Sequence, residues 1–447
     1  MSIAQIRSLN GREILDSKGR PTIEVDVRTN DGSFGRGSAP CGSSVGSHEA
    51  FVLVDCDRRF MGLGVQKAIR NVEEIIAPAL IGMDVTQQKE IDTLMIELDQ
   101  SPNKTHLGAN ATYSVSIAVA RAAASSLNMP FHRYLGGEKA NILPIPMFNM
   151  INGGWYGNKR IEFQEFLLLP TMAQTYAEAL RMGVEVFYQL SDVISKRFGE
   201  QHIRTGNSAG FVVPENDPSA IVETLLAAVG EAGYEGEFKV GLDCAASHFY
   251  DKAEGKYSFK GNKVTREEII QYLEELGNAH PIFMIEDPLD EDDFDGFATM
   301  TKHMNILICG DDLFATRIDR LEKGYRLGAG NGVMLKPNMV GTITEALEVA
   351  RWAEEHEFVL VPSIRSGSTV DDPIADISVA VGAPLIKPGA PRSGERTACH
   401  NQLVRIEENL NGAARFQSFE SLEQRVGVRT TAAPRGRSEQ QRNHQRV

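Results

Sequence analysis

The second half of the chain repeats one arrangement that few folds accommodate. Six short apolar runs, FKVGLD, IFMIED, ILICGDD, GVMLKPN, FVLVPSIRS and APLIKPG, each end on or beside an ionisable residue: Asp243, Glu286, Asp311, Lys336, Arg365 and Lys387. By their numbers these six stand 43, 25, 25, 29 and 22 residues apart, close to one strand–helix unit each. Strands that alternate with amphipathic helices read as βα units and a largely parallel sheet. A (β/α)8 barrel gathers the C-terminal ends of its strands around one mouth, where the active sites of such barrels lie. On that reading six charged side chains converge on one point.

The residue types specify a chemistry. Asp243, Glu286 and Asp311 cannot share a dry mouth without a cation, and three hard oxygen ligands suit Mg2+. Lys336 follows the apolar run GVML. Burial and nearby positive charge lower a lysine pKa, which makes Lys336 a candidate base. Arg365, followed by Ser366 and Gly367, fits phosphate recognition, because a guanidinium binds two oxygens at once. Lys387 is placed to pair with a carboxylate. Taken singly, each acid reads as a solvated surface group and each lysine as half of a structural ion pair. Their succession at consecutive strand ends favours a metal, a base, a phosphate clamp and a carboxylate clamp, a set that stabilises an enolate.

The first 140 residues follow another rhythm and read as an α+β domain. IEVDVRT (23–29) alternates like a strand, and GRGSAPCGSSVGSHEA (35–50) reads as a mobile loop rich in Gly and Ser. VQKAIRNVEEIIAPAL places Val65, Ala68, Ile69, Val72, Ile75 and Ile76 on one helical face. Asp84 with Gln87 predicts a capping box for a helix running to about Leu98. ANATYSVSIAVARAAASSLNMP predicts an Ala-rich helix stopped by Asn128 and Pro130. The chain thus divides into residues 1–140, a barrel over 141–429, and a basic tail over 430–447 that is expected to be disordered.

A net charge of −14 disfavours nucleic acid and anionic membranes as partners. No apolar run approaches the length of a membrane span, and MSIAQIRSLNGREILD lacks the pattern of a signal peptide. Five scattered cysteines without a CxxC pair point to reduced thiols in a cytoplasm.

From about Arg12 to Leu410 the chain resembles the enolases, on REILDSKGRPTIEVDV, LGANATYSVSIAVA, FNMINGG, FQEF, IEDPLDEDDFDGF, GDDLFAT, LKPNMVGT and NQLVRIEE. The resemblance implies a smaller N-terminal α+β domain before an eight-stranded barrel, two Mg2+ ions and a homodimer. Carried over position by position, Asp243, Glu286 and Asp311 match ligands of one Mg2+, and Ser44 the loop serine that reaches the second. Lys336 matches the base, Lys387 the lysine that meets the substrate carboxylate, and Arg365 with Ser366 the phosphate contacts. Gln164 and Glu165 match active-site polar residues.

Three positions depart from the family pattern. Enolases read GDEGG where this chain reads GNSAG, so the general acid for the departing hydroxyl is replaced by Ser208. Enolases read SHRSG and GGSHA where this chain has SIRSG and GGWYG, so Ile364 and Tyr156 stand for two histidines, with Trp155 beside the second. Kept metal ligands and lysines with a changed leaving-group side imply altered chemistry on a phosphorylated or phosphonylated three-carbon acid. On these departures the chain resembles the enolase-like carboxyphosphonoenolpyruvate synthases of phosphinate antibiotic biosynthesis, a resemblance that implies a nucleotide-activated phosphonoformate as donor. The alternatives are a true enolase with a substituted acid, and a non-catalytic protein of the same fold.

Overall fold

A computed structural model describes residues 4–43 and 45–431. Ser44 and the tail from residue 432 lie outside the described residues. The last helix, Phe419–Thr431, runs two residues into the stretch expected to be unstructured.

Three antiparallel strands open the chain: β1 (Ile6–Leu15), β2 (Pro21–Thr29) and β3 (Phe34–Ser38). Ile23, Val25 and Val27 of β2 are fully buried, while Glu24 and Asp26 point to the other face. There Arg12 pairs with both carboxylates, and Arg36 reaches Asp26 at 2.7 Å. The alternation in the sequence therefore sorts apolar from ion-paired side chains, and both faces are covered.

Residues 35–38, at the start of the expected loop, belong to the strand β3 instead. Gly35 and Gly37 explain the difference. A Cβ on either would lie 2.0 Å from the Ala118 carbonyl oxygen or 2.3 Å from that of Ser114, in the helix Ala109–Ser126. These glycines let a strand rest on a helix backbone, and in sequence they look like turn residues.

Two further local expectations give way. The helix over 66–80 carries a π turn at Val72–Ile76, whose wider winding turns Ile75 outward to 42% exposure while Ile76 stays buried. Asp84 forms no capping box, since its carboxylate accepts from the backbone and hydroxyl of Thr86 and the helix begins at Gln88.

The larger part of the chain is built on a barrel sheet of eight strands: β4 (Ile145–Asn152), β5 (Glu165–Pro170), β6 (Phe238–Asp243), β7 (Ile282–Glu286), β8 (Leu307–Gly310), β9 (Gly332–Leu335), β10 (Val359–Pro362) and β11 (Leu385–Gly389). The order runs β10-β9-β8-β7-β6-β5-β4-β11, and a bridge between Ser363 and Lys387 closes the ring. All pairs are parallel except those of β5, which runs antiparallel to both β4 and β6.

The reversal of β5 has two results. Its first residue, Glu165, lies opposite Asp243, the last residue of β6. A strand that leaves the mouth also needs two helices, Tyr176–Phe198 and Pro218–Glu231, before β6 can start from the far side. The loop between those helices returns to the mouth, and it carries Ser208. No helix among the described residues is long and apolar enough to cross a membrane.

Candidate active site

Parallel register places the charged strand ends side by side. Asp243 of β6 stands opposite Glu286 of β7, and Glu165 of β5 opposite Asp243. Asp311 and Lys336 each follow the last residue of their strand, and Lys387 sits within β11.

A cleft of about 420 Å³, open solvent at its rim included, lies over these ends. Of the metal-ligand candidates Asp243 and Asp311 line it, and Glu286 lies beneath at 1% exposure. Lys336, Arg365, Ser366 and Lys387 line it from the later strands. Gln164, Glu165 and Ser208 line the opposite side, with Tyr156 and Ile364. Every candidate from the sequence that falls within the described residues is therefore in this cleft or directly under it.

Two lysines supply the positive charge among the acids. The Lys387 ammonium donates to Asp243 at 2.7 Å and Glu286 at 2.6 Å, and pairs with Glu165 at 3.0 Å. Burial opposes its charge, but these three carboxylates outweigh burial and raise its pKa. Burial, with Asp243 beside it, pushes the Glu286 carboxyl up to about 8. The Lys336 ammonium donates to Asp311. Burial acts against the charge of Asp311, and the bond and charge of Lys336 overcome it and lower the pKa of Asp311.

The expectation of a lowered pKa for Lys336 is corrected. Burial works in that direction, but the neighbouring charges of Asp311 and Glu286 prevail and the pKa is raised. Lys336 holds its proton as long as Asp311 faces it as a free carboxylate.

Arg365 is also differently engaged from the expected phosphate clamp. Its guanidinium donates to Glu49 at 2.7 and 3.0 Å, and both side chains are nearly inaccessible. Ser366 accepts from the Ser43 backbone at 2.7 Å through its hydroxyl, which also meets the Ser43 hydroxyl at 3.0 Å. The segment that follows β3 is thus fastened to the barrel at the phosphate-clamp residues.

The donor set fits a hard divalent cation. Asp243, Glu286 and Asp311 offer carboxylate oxygens from adjacent strand ends. The Oδ1 of Asp311 and the Oε1 of Gln164 are buried without a hydrogen-bond partner, so acceptors stand open at this place. A tighter acidic group, Asp287 with Asp311 and Asp312, lies alongside, but Asp287 already accepts from the backbone N–H groups of Asp311 and Asp312.

Several contributing residues were not legible in the sequence. Asn149 on β4 donates to Glu165 at 2.8 Å and to the Ser208 carbonyl at 3.0 Å, joining the reversed strand to the altered loop. Asn152 accepts from Gly210 N–H at 3.0 Å and fixes the same loop. Arg396, 1% exposed, lines the cleft and donates to the Ser366 carbonyl at 3.2 Å. FNMIN and SGERT contain these residues, but nothing in their periodicity separates them from ordinary polar positions.

Residues 140–425 match the family described as enolase, C-terminal TIM barrel domain, and residues 6–135 the enolase N-terminal domain. Among curated proteins, one named Enolase from Methanopyrus kandleri is 47% identical over 416 residues, covering 92% of this chain and 97% of that protein. Another from Methanococcus aeolicus is 47% identical over 406 residues, covering 91% and 95%. A third, from Thermococcus gammatolerans, is 45% identical over 414 residues, covering 92% and 96%.

Proposed function

This chain belongs to the enolase family, and from that premise we propose that it is a Mg2+-dependent enzyme acting through the enolate of a three-carbon acid like 2-phosphoglycerate or phosphoenolpyruvate. The observation that carries this reading is the meeting of Lys336, Arg365 and Lys387 with carboxylates in one cleft. Asp243, Glu286 and Asp311 would hold the metal, and Ser44 a second ion by resemblance. Bound Mg2+ supplies positive charge against a carboxylate and an enolate oxygen. Lys336 would take the α proton, once a ligand that takes up the charge of Asp311 has loosened its own. Lys387 would meet the substrate carboxylate, and Arg365 with Ser366 the phosphoryl or phosphonyl oxygens.

Two reactions use this set. The relatives' name favours loss of water from 2-phosphoglycerate, with Glu165 or a water on Ser208 delivering the proton. The cleft residues favour another. A departing hydroxyl needs a positioned acid. The carboxyl groups lining the cleft, Glu165, Asp243 and Asp311, each face a lysine ammonium, and Ser208 offers only a hydroxyl.

A nucleoside monophosphate leaves as a stable anion and needs no such acid. Phosphonoformyl transfer from a nucleotide-activated donor meets that condition. The enol oxygen of an acceptor acid that carries no phosphoryl group on that oxygen attacks the donor's phosphorus, the P–O bond to the nucleotide breaks, and the nucleoside monophosphate departs with the electron pair. This is the reaction type of a carboxyphosphonoenolpyruvate synthase, and we carry this second reading forward. A homodimer belongs to either reading.

The test is incubation with Mg2+ and 2-phosphoglycerate beside an enolase of ordinary activity. A comparable rate of phosphoenolpyruvate formation decides for dehydration. No turnover, with Mg2+-dependent thermal stabilisation by the same acid, leaves a working site with a different reaction, as the second reading requires. Loss of both turnover and stabilisation would sink enolate chemistry altogether.

A further inference from the structure

We propose that the rim of the cleft carries a nucleotide subsite, in which the Trp155 ring receives the base and Lys159 and Lys18 flank the phosphate. The proposal rests on the second reading above, and adds the place where the donor's nucleotide half is bound.

The loop between β4 and β5 turns tightly at the mouth. Gly154 N–H donates to Ile161 O at 2.9 Å and Gly157 N–H to Gly153 O at 2.8 Å. This turn divides its two aromatic residues. Tyr156 points in, is 9% exposed and lines the cleft, whereas Trp155 points out and is 50% exposed. A single exposed tryptophan is ordinary on a protein surface. This one has three features that a stray surface ring lacks.

First, cations gather around the pair. The Lys159 ammonium lies over one face of the Trp155 ring, 4.4 Å from its centre, and that of Lys18 lies over the Tyr156 ring, 5.3 Å from its centre. Lys18 also donates to the Ser43 hydroxyl at 2.9 Å. A chain of net charge −14 thus presents positive charge at this part of its mouth. Second, the ring is steadied from the side by His248, at 5.3 Å between centres and tilted by 46°. His248 follows β6 and brings a second aromatic plane beside the first.

Third, the platform is bolted to the substituted loop. Asn207 N–H donates to Tyr156 O at 2.7 Å, and its side-chain amide to Trp155 O at 3.5 Å. The Trp155–Tyr156 turn is therefore tied to the Asn207–Ser208 loop, and all four residues depart from the enolase pattern. A flat aromatic face with flanking cations binds a base and its phosphate together. A small three-carbon acid in the inner cleft has no use for either.

The chain has two tryptophans, Trp155 and Trp352. Trp352 stacks on His356, at 4.0 Å between centres. In a Trp352→Phe variant the emission therefore reports Trp155 alone. The probes are the 5′-monophosphates of adenosine, guanosine, cytidine and uridine, with ribose 5-phosphate as the baseless control, each in Mg2+ buffer. At least one nucleotide is expected to quench the emission saturably, and ribose 5-phosphate to bind much more weakly.

By calorimetry on the otherwise unmodified protein, Trp155→Ala should weaken that nucleotide by about tenfold or more, as loss of base stacking does. Trp155→Phe should retain most of the affinity, and Lys159→Gln should weaken nucleotide and ribose phosphate alike. Unchanged nucleotide affinity in Trp155→Ala, or no binding of any nucleotide, overturns the subsite. If the protein is still stabilised by phosphoenolpyruvate and Mg2+ in that case, enolate chemistry stands without it. If a nucleotide binds through Trp155 while 2-phosphoglycerate is dehydrated at an ordinary rate, the subsite stands and the donor reading falls.

Discussion

Arg365 and Glu49 form a two-pronged ion pair inside the protein, at 2.7 and 3.0 Å, between residues 316 positions apart. One comes from the end of β10 and the other from the segment that follows β3. The pair joins the N-terminal part of the chain to the barrel at the place where a phosphoryl group is proposed to bind.

Removing one member of such a pair leaves the other charge buried and unmatched. Glu49→Gln is therefore expected to lower stability by about 3–5 kcal/mol in urea unfolding. The double variant Glu49→Gln, Arg365→Met should recover much of that loss. A loss within about 0.5 kcal/mol in the single variant, the range of ordinary surface changes, would show that the pair is not buried in solution.

Ser208→Glu is expected to raise conversion of 2-phosphoglycerate by at least tenfold. A positioned acid contributes about 10²–10⁴-fold, so the unaltered chain should fall below an ordinary enolase by a similar factor. Steady-state formation of phosphoenolpyruvate measures both. An unaltered chain already at full speed, with no gain in the variant, would show that another group donates the proton.

Metal-free protein should melt at a higher temperature when Mg2+ is added, because four acids share the site with two lysines. At a hundred times the dissociation constant the gain is about 2.7 kcal/mol. Asp311→Asn should lose most of it. Scanning calorimetry at fixed pH reads the effect, and an Mg2+ response of unchanged size in Asp311→Asn would remove Asp311 from the ligand set.

Lys18 supplies a pH dependence. Burial, then the charges of Arg20 and Arg396, lower its pKa to about 8, against weaker opposing pulls from Asp16 and Glu165. Its packing partners are the Tyr156 ring and the Ser43 hydroxyl. The ammonium is present below pH 8 and is lost above it. Nucleotide affinity should therefore fall as pH rises through 8, and Lys18→Arg should flatten the profile. Since the folded state disfavours this charge, stability should rise over the same interval, between the folded value and 10.5. A flat affinity profile in the unaltered chain would exclude Lys18 from the phosphate.

The strand-end charges could be read in advance because βα units have a narrow range of lengths. Spacing alone therefore put Asp243, Asp311, Lys336, Arg365 and Lys387 around one mouth. The direction of β5 could not be read that way. EFLLLP has the same apolar pattern in either orientation, and only its pairing with β4 and β6 reveals the reversal. The partners of the charged groups were equally hidden. Lys336 reads as a base with a loosened proton until Asp311 is seen against it, and Arg365 reads as open until Glu49 arrives from the other end of the chain. The glycines of β3 failed for a related reason, since their purpose is the helix backbone they lie on.

The reversal of β5 also affects how such a protein can change its reaction. The mouth loops that follow parallel strands must each lead back to a helix on the outer layer, so alterations there risk disturbing the packing of that layer. The loop over 153–164 returns directly to the sheet, with both feet fixed by the pairing of Asn152 with Glu165. It can carry Tyr156 in place of a histidine, with Trp155 beside it, while the carboxylates on neighbouring strands keep their register. The carboxylates at the parallel strand ends and the Trp155–Tyr156 pair thereby belong to different parts of one sheet.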